Sequence, residues 1–212
     1  MTAQRIPLWL KIGFTVWVAV WIPKYWLYYG PVNFLWFCDI ANVVLVAALW
    51  AESSLLLSWQ AVSVLLVQVL WVVDFTSALT VGRHPIGGTG YMFQATIPID
   101  IRLLSLFHGV TPFLLLWGAR RLGYDRRAFW VQTIFAQILL PISWIATRHE
   151  SGITKDINWV WGPFDDVQQK MPAVAYLLVT MIAYPVILFL PTHLFLRWWA
   201  PRPSVDTPER AG

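Results

Sequence analysis

Two aspartates and one histidine interrupt long apolar runs: Asp39, Asp74 and His108. An ionisable group inside a membrane helix costs several kcal/mol unless it finds a partner, so each is a candidate for function. Together they are the material of nucleophilic catalysis, in which an imidazole takes a proton from a nucleophile and a carboxylate fixes its tautomer. Cys38, next to Asp39, would be the attacking thiol, provided His108 can reach it. Asn42, one turn beyond Cys38 on the same helix face, and Asn158 are amides that could bind substrate and donate to an oxyanion. Ser143, Thr111, Thr76 and Ser77 fall near the same level. Three other roles stay open for these residues. A small buried Cys is often inert packing. Two Asp and a His can hold a divalent metal, though no H-x-x-x-H or comparable ligand spacing is present. A hydrogen-bonded Asp–His–Asp network can also simply fix helix packing.

The elements that must position these residues are membrane spans. A crossing helix needs about 20 mostly apolar residues. Six stretches approach this: Pro7–Ile22, Pro31–Trp50, Ser54–Val81, Ile101–Trp117, Ala128–Thr147 and Pro172–Trp199. The spacing predicts an all-α, polytopic membrane protein with six transmembrane helices over residues 1–200. A polar, proline-rich, disordered tail follows at 201–212. Pro185 and Pro191 predict kinks in the last span. With about 1.5 Å of rise per residue, Asp39 and Asp74 lie roughly 12 Å, and His108 roughly 10 Å, below the same end of their spans. Helices running in alternating directions thus bring their costly residues to one level. A polar pocket follows, roofed by the loops 82–100 and 148–171.

Composition agrees. Of 212 residues, 58% are hydrophobic and 12% charged, against roughly a quarter charged in ordinary soluble domains. This excludes a soluble globular enzyme, a disordered protein and a nucleic-acid binder. The expected partner is membrane lipid. The single cysteine permits no intrachain disulfide. Arg5 and Lys11 precede an apolar run, but no small-x-small cleavage site follows, so the first span reads as retained rather than as a signal peptide. Basic residues favour one side: Arg5, Lys11, Arg120, Arg121, Arg126, Arg127, Arg197, Arg202 and Arg210, against Lys24, Arg83, Arg102, Arg148, Lys155 and Lys170. By the positive-inside rule both termini are cytoplasmic, in a bacterial inner membrane, and the two long loops face outward. Among the 15 tryptophans, Trp9, Trp21, Trp26, Trp50, Trp117, Trp198 and Trp199 sit near span ends, as interfacial anchors do. Trp36, Trp71 and Trp144 fall inside spans.

The loops add their own signals. Arg83-His84-Pro85-Ile86-Gly87-Gly88-Thr89-Gly90 is glycine-rich and cationic, and Arg83 can pair a carboxylate or phosphate head group or snorkel to the interface. It is no P-loop, since no Gly-Lys-Ser/Thr closes it, and no cofactor motif appears elsewhere. The stretch Asp156–Asp166 mixes acids with aromatics. It reads as a loop folded over the pocket mouth, with Trp161 and Asn158 against the ligand. No G-x-S-x-G elbow is present.

Three short patches resemble the superfamily of the androgen-induced and androgen-dependent TFPI-regulating proteins, six-helix intramembrane hydrolases of fatty-acid esters of hydroxy fatty acids. Asn33-Phe34-Leu35-Trp36-Phe37-Cys38-Asp39-Ile40 is similar to that family's Phe-Leu-Thr-Phe-x-Asp stretch. Ile97-Pro98 followed by His108-Gly109-Val110-Thr111-Pro112-Phe113 is similar to its segment with a catalytic His before Pro-Phe. Trp159-Val160-Trp161-Gly162-Pro163-Phe164 resembles its Trp-x-Tyr-Pro-Phe loop. The resemblance implies a six-helix fold, a lipid-facing cavity and a catalytic role for His108. One position departs: the family's nucleophilic Thr falls on Trp36, which cannot attack an ester, and Cys38 lies about 200° round the helix from it. The chain also resembles a group of bacterial integral membrane proteins. The expected function is thus a lipid ester hydrolase or acyltransferase. The alternative is a non-enzymatic lipid-binding or small transport protein whose Asp/His cluster binds a proton, cation or head group.

Overall fold

The computed structural model describes residues 6–149, 152–153, 156–163 and 167–203. Arg5, Lys155, Phe164, Asp165, Asp166 and residues 204–212, among them Arg210, lie outside the described residues. The fold is helical. The first helix, α1 (Leu8–Tyr29), runs straight through Pro23, where the sequence predicts its end. A proline removes one backbone bond and crowds the preceding turn. Here the last two turns carry a run of aromatic contacts, Tyr25 tilted against Trp21 at 4.9 Å and Tyr29 edge-on to Tyr25 at 5.1 Å between ring centroids.

After Gly30, residues Pro31–Leu35 form a 3₁₀ turn and Trp36 is extended, so α2 covers only Phe37–Trp50. The expected helix from Pro31 does not form, because Asn158 from a distant loop intercepts the backbone. It accepts the Phe37 N–H (3.2 Å) and donates to the Leu35 carbonyl (2.8 Å). Asp39 therefore sits in the first turn of α2 rather than well inside it, at the end where the helix dipole favours a carboxylate.

A tight turn leads into α3 (Ser54–Val81), about 42 Å long. Ser53 caps its start by accepting the Leu56 N–H, and Gly82 ends it at φ 66°, a conformation that suits glycine. At the α2–α3 turn Glu52 accepts from Lys11 Nζ at 2.8 Å and from the Ile6 N–H, fastening α1 to the hairpin. The next span is broken in two: α4 (Ile99–Leu104) and α5 (Phe107–Leu122). His108 is thus in the first turn of α5, and not seven residues below the start of one continuous helix. Next come α6 (Ala128–Thr147) and a two-residue strand pair, β1 (Arg148–His149) with β2 (Gly152–Ile153). The chain ends with α7 (Ala173–Ala183), a π-helical segment (Tyr184–Phe189) and α8 (Leu190–Trp199). The wide turn falls at Pro185, where the sequence predicts a kink.

Four helical stretches are long and apolar enough to cross a membrane: Ser54–Val81, Ile99–Leu122, Ala128–Thr147 and Ala173–Trp199. The sequence predicts six. At 14 residues α2 is a shorter apolar helix, and α1 is not among the four. Central α3 packs on α2, α5 and α6. Its contact with α5 is close enough at Gly118 that a Cβ there would fall 2.3 Å from Leu57 Cδ1, so only glycine fits without repacking. Several predicted anchors lie on the outer surface, including Trp9, Trp26 and Trp198, whereas Trp21 is fully buried. Residues Pro201–Pro203, expected in a disordered tail, begin by docking: the Pro201 carbonyl accepts the Tyr124 N–H at 2.7 Å.

Candidate functional site

The walls come from five regions of the chain. The end of α1 supplies Tyr25 and Tyr29, and the turn into α2 supplies Asn33, Trp36, Cys38 and Asp39. The upper half of α3 supplies Ser63 to Asp74. The glycine loop with the α4–α5 junction supplies Gly87, Tyr91, Ser105 and His108. Asp156, Asn158, Trp159 and Tyr184 close the far side. They enclose a cavity of about 830 Å³. Asp39, Asp74, His108 and Cys38 all line it, as the sequence predicts, and both long loops contribute to its walls.

Sharing a cavity is not sharing a hydrogen-bond network. No hydrogen bond joins Asp39, Asp74 and His108 to one another among the described residues. Asp74, fully buried, is spent on the glycine loop. Its oxygens accept the backbone N–H of Ile86 (2.7 Å), Gly87 (3.0 Å) and Thr89 (3.0 Å) and the Thr89 hydroxyl (2.5 Å), with His84 Nδ1 farther off at 3.4 Å. Successive N–H groups in a turn form an anion-binding nest. Here the anion is the protein's own carboxylate, so Asp74 shapes the loop and does not orient His108. Asp39 accepts from Asn33 Nδ2 at 2.6 Å.

His108 is held differently. Its Nδ1 lies 2.8 Å from the Ser105 carbonyl oxygen. A carbonyl only accepts, so Nδ1 carries the proton and Nε2 carries the lone pair in the neutral ring. Trp71 stacks on the imidazole at 5.0 Å and Phe107 at 3.9 Å, fixing its plane. Nε2 has no hydrogen-bond partner among the described residues. This is a base with its tautomer set by a backbone carbonyl instead of a carboxylate.

Cys38 is buried and sits beside the Gln68 amide, with no hydrogen bond to His108. Asn42, predicted as a donor, is fully buried but not on the cavity wall, and neither of its amide atoms is bonded. Asn158 is on the wall, yet its side chain is consumed: besides Leu35 and Phe37, it donates to Ser143 Oγ at 3.2 Å. Its own carbonyl accepts the Tyr184 hydroxyl, and its φ of 56° marks a forced conformation. Trp161 is off the wall as well. Its indole N–H donates to Thr147, its backbone N–H to Asp156, and its ring stacks on Trp144. Arg83 is exposed and does not line the cavity. The polar side-chain atoms of Asn158 and Trp161 are thus bonded within the protein, and Arg83 lies off the cavity wall.

Sequence reasoning missed a cluster of hydroxyls. Tyr25 and Ser105 lie 2.5 Å apart, Trp71 Nε1 donates to Tyr91 at 3.2 Å, and the Tyr91 hydroxyl lies beside Ser105. Burial pushes the Tyr91 hydroxyl above the usual tyrosine range, which keeps it a neutral donor. The one available signal was Ser105 standing three residues before His108, on the same helical face. No group of three or more His, Cys, Asp or Glu among the described residues is placed to hold a metal ion. No known protein family, curated protein or solved structure matches the chain.

Proposed function

We propose that the protein is a six-crossing membrane protein of a bacterial inner membrane, with cytoplasmic termini, that admits an amphiphile to the cavity and cleaves or transfers an acyl ester there. The carrying observation is His108, whose tautomer leaves Nε2 free on the wall of a large cavity. The walls suit an acyl lipid: Val64, Val67, Leu70, Ile97 and Leu188 offer apolar surface beside the polar cluster. Three aspartates and no Lys or Arg line the cavity among the described residues, which favours an ester with an uncharged head over an anionic one. The patches similar to the androgen-induced protein family support the same reaction. The excess of arginine at one end supports the orientation.

In hydrolysis, His108 Nε2 removes a proton from water as its oxygen adds to the ester carbonyl carbon. The tetrahedral intermediate then collapses, the carbon–oxygen ester bond breaks, and the leaving alkoxide takes the proton back from Nε2. Water replaces Cys38 as nucleophile because no contact couples that thiol to the base. The same observation favours the second reading: without a side-chain nucleophile on His108, the cavity would bind or carry a lipid, a proton or a cation without turnover. Purified protein in nanodiscs with long-chain neutral esters separates the two. His108→Gln is expected to lower turnover about 10²–10⁴-fold, the range for loss of a general base, whereas Cys38→Ser retains it. Equal turnover by wild type and His108→Gln overturns the base role. Co-purified lipid without turnover supports the binding role.

A further inference from the structure

Four hydrogen-bond donors meet on one wall of the cavity: the Trp71 indole N–H and the hydroxyls of Tyr91, Ser105 and Tyr25. An indole N–H can only donate, so the Tyr91 oxygen accepts from Trp71. The Tyr91 hydroxyl lies beside the Ser105–Tyr25 pair, in which either oxygen can be the donor. The pair holds two hydroxyl protons and makes one bond, so one proton is left over, and no acceptor for it is seen among the described residues. Tyr25 is 4% exposed, and a buried donor left unsatisfied is costly, so a guest in the cavity is the natural acceptor. The same turn carries the base, since the Ser105 carbonyl accepts from His108 Nδ1.

Resting on the ester-cleaving role proposed above, we infer that the left-over proton is Tyr25's, and that this hydroxyl, accepting from Ser105, donates to the acyl carbonyl oxygen and stabilises the oxyanion as His108 activates the attack. This gives the cavity the electrophilic half of its chemistry, which Asn42 and Asn158 cannot supply. A preorganised donor of this kind acts on the charge that develops, more than on the ground-state ester.

The test uses a long-chain trifluoromethyl ketone, whose hydrate mimics the tetrahedral intermediate, bound to full-length protein in nanodiscs. Tyr25→Phe is expected to weaken ketone binding about 100-fold and to lower kcat on esters similarly, with KM little changed, as for loss of one oxyanion donor. Trp71→Phe, which keeps an aromatic ring against His108 and removes the N–H donor to Tyr91, weakens binding less. Folding of each variant is checked by thermal unfolding. A second readout needs no variant: the carbonyl stretch of a bound long-chain methyl ketone is red-shifted in wild type relative to empty nanodiscs. An unshifted carbonyl, or a folded Tyr25→Phe protein that binds the trifluoromethyl ketone as tightly as wild type, overturns the inference. Tyr25-dependent ketone binding without any ester turnover removes the hydrolase role and leaves the carbonyl site standing. His108-dependent turnover indifferent to Tyr25 does the reverse.

Discussion

The glycine loop around Asp74 and the helical turn that carries His108 share one cavity wall, and they use their polar atoms in opposite ways. An ionised carboxylate offers about four acceptor positions, and Asp74 fills them with three backbone N–H groups and a hydroxyl. His108 spends one nitrogen on Ser105 and keeps the other. A buried ionisable residue is therefore not informative until its valence is counted. A saturated group is architecture, and one with a spare lone pair on a cavity is available for chemistry. Asp39, in the first turn of α2, accepts from Asn33 on the same wall.

The largest effect that separates the two regions should come from Asp74→Ala. It leaves three backbone N–H groups and a hydroxyl without their acceptor, at an expected cost of about 3 kcal/mol or more in unfolding free energy. Thermal unfolding in detergent measures it, and added formate or acetate should restore part of the loss by occupying the emptied nest. Turnover per folded molecule should hold. A stable but inactive Asp74→Ala protein would erase the contrast with His108. A smaller loss, about 2 kcal/mol, is expected for Asn158→Ala, which unpairs Phe37, Leu35 and Ser143 while keeping the positive φ. Asn158→Gly should lose less, because glycine tolerates that backbone, and comparing the two melts isolates the conformational share.

The smallest effect belongs to Asp125, an acid at the opposite end of the bundle whose partner is solvent-exposed. Arg127 donates to it from its guanidinium and backbone, and this holds the Asp125 carboxyl below the usual carboxylate range. A depressed folded pKa means stability present above the unfolded value of about 4 and lost as pH falls through the folded one. Asp125→Asn should melt slightly below wild type at pH 7 and converge with it in acid. A gap that persists at low pH would show that the charge of Asp125 contributes nothing.

Several features could be read before any coordinates. Both ends of α3 and of α6 coincide with their predicted limits, because Ser53, Gly82 and the flanking polar residues are local stop signals that act wherever the chain goes. Asp39, Asp74, His108 and Cys38 do line one cavity, although Asp39 and His108 lie in the first turns of their helices and not at the depths that the sequence predicts. Trp36 and Trp71, singled out as tryptophans inside spans, do face it. The break before Phe37 could not be read, since it depends on Asn158, 121 residues away from its partner Phe37. Nor could the roles of Arg83, Asn42 and Trp161, which turn on where a side chain points.

Hydrophobic length and the cost of burying charge are properties of the chain itself, so the sequence determined long apolar helices whose few ionisable residues need partners. Hydrogen-bond valence is a property of neighbours. Only the tertiary structure decided that Asp74 closes a loop, that Ser105 replaces a carboxylate behind His108, and that a tyrosine from α1 meets a serine from the α4–α5 junction. The first and last of those pairings join segments that helical periodicity cannot bring into register.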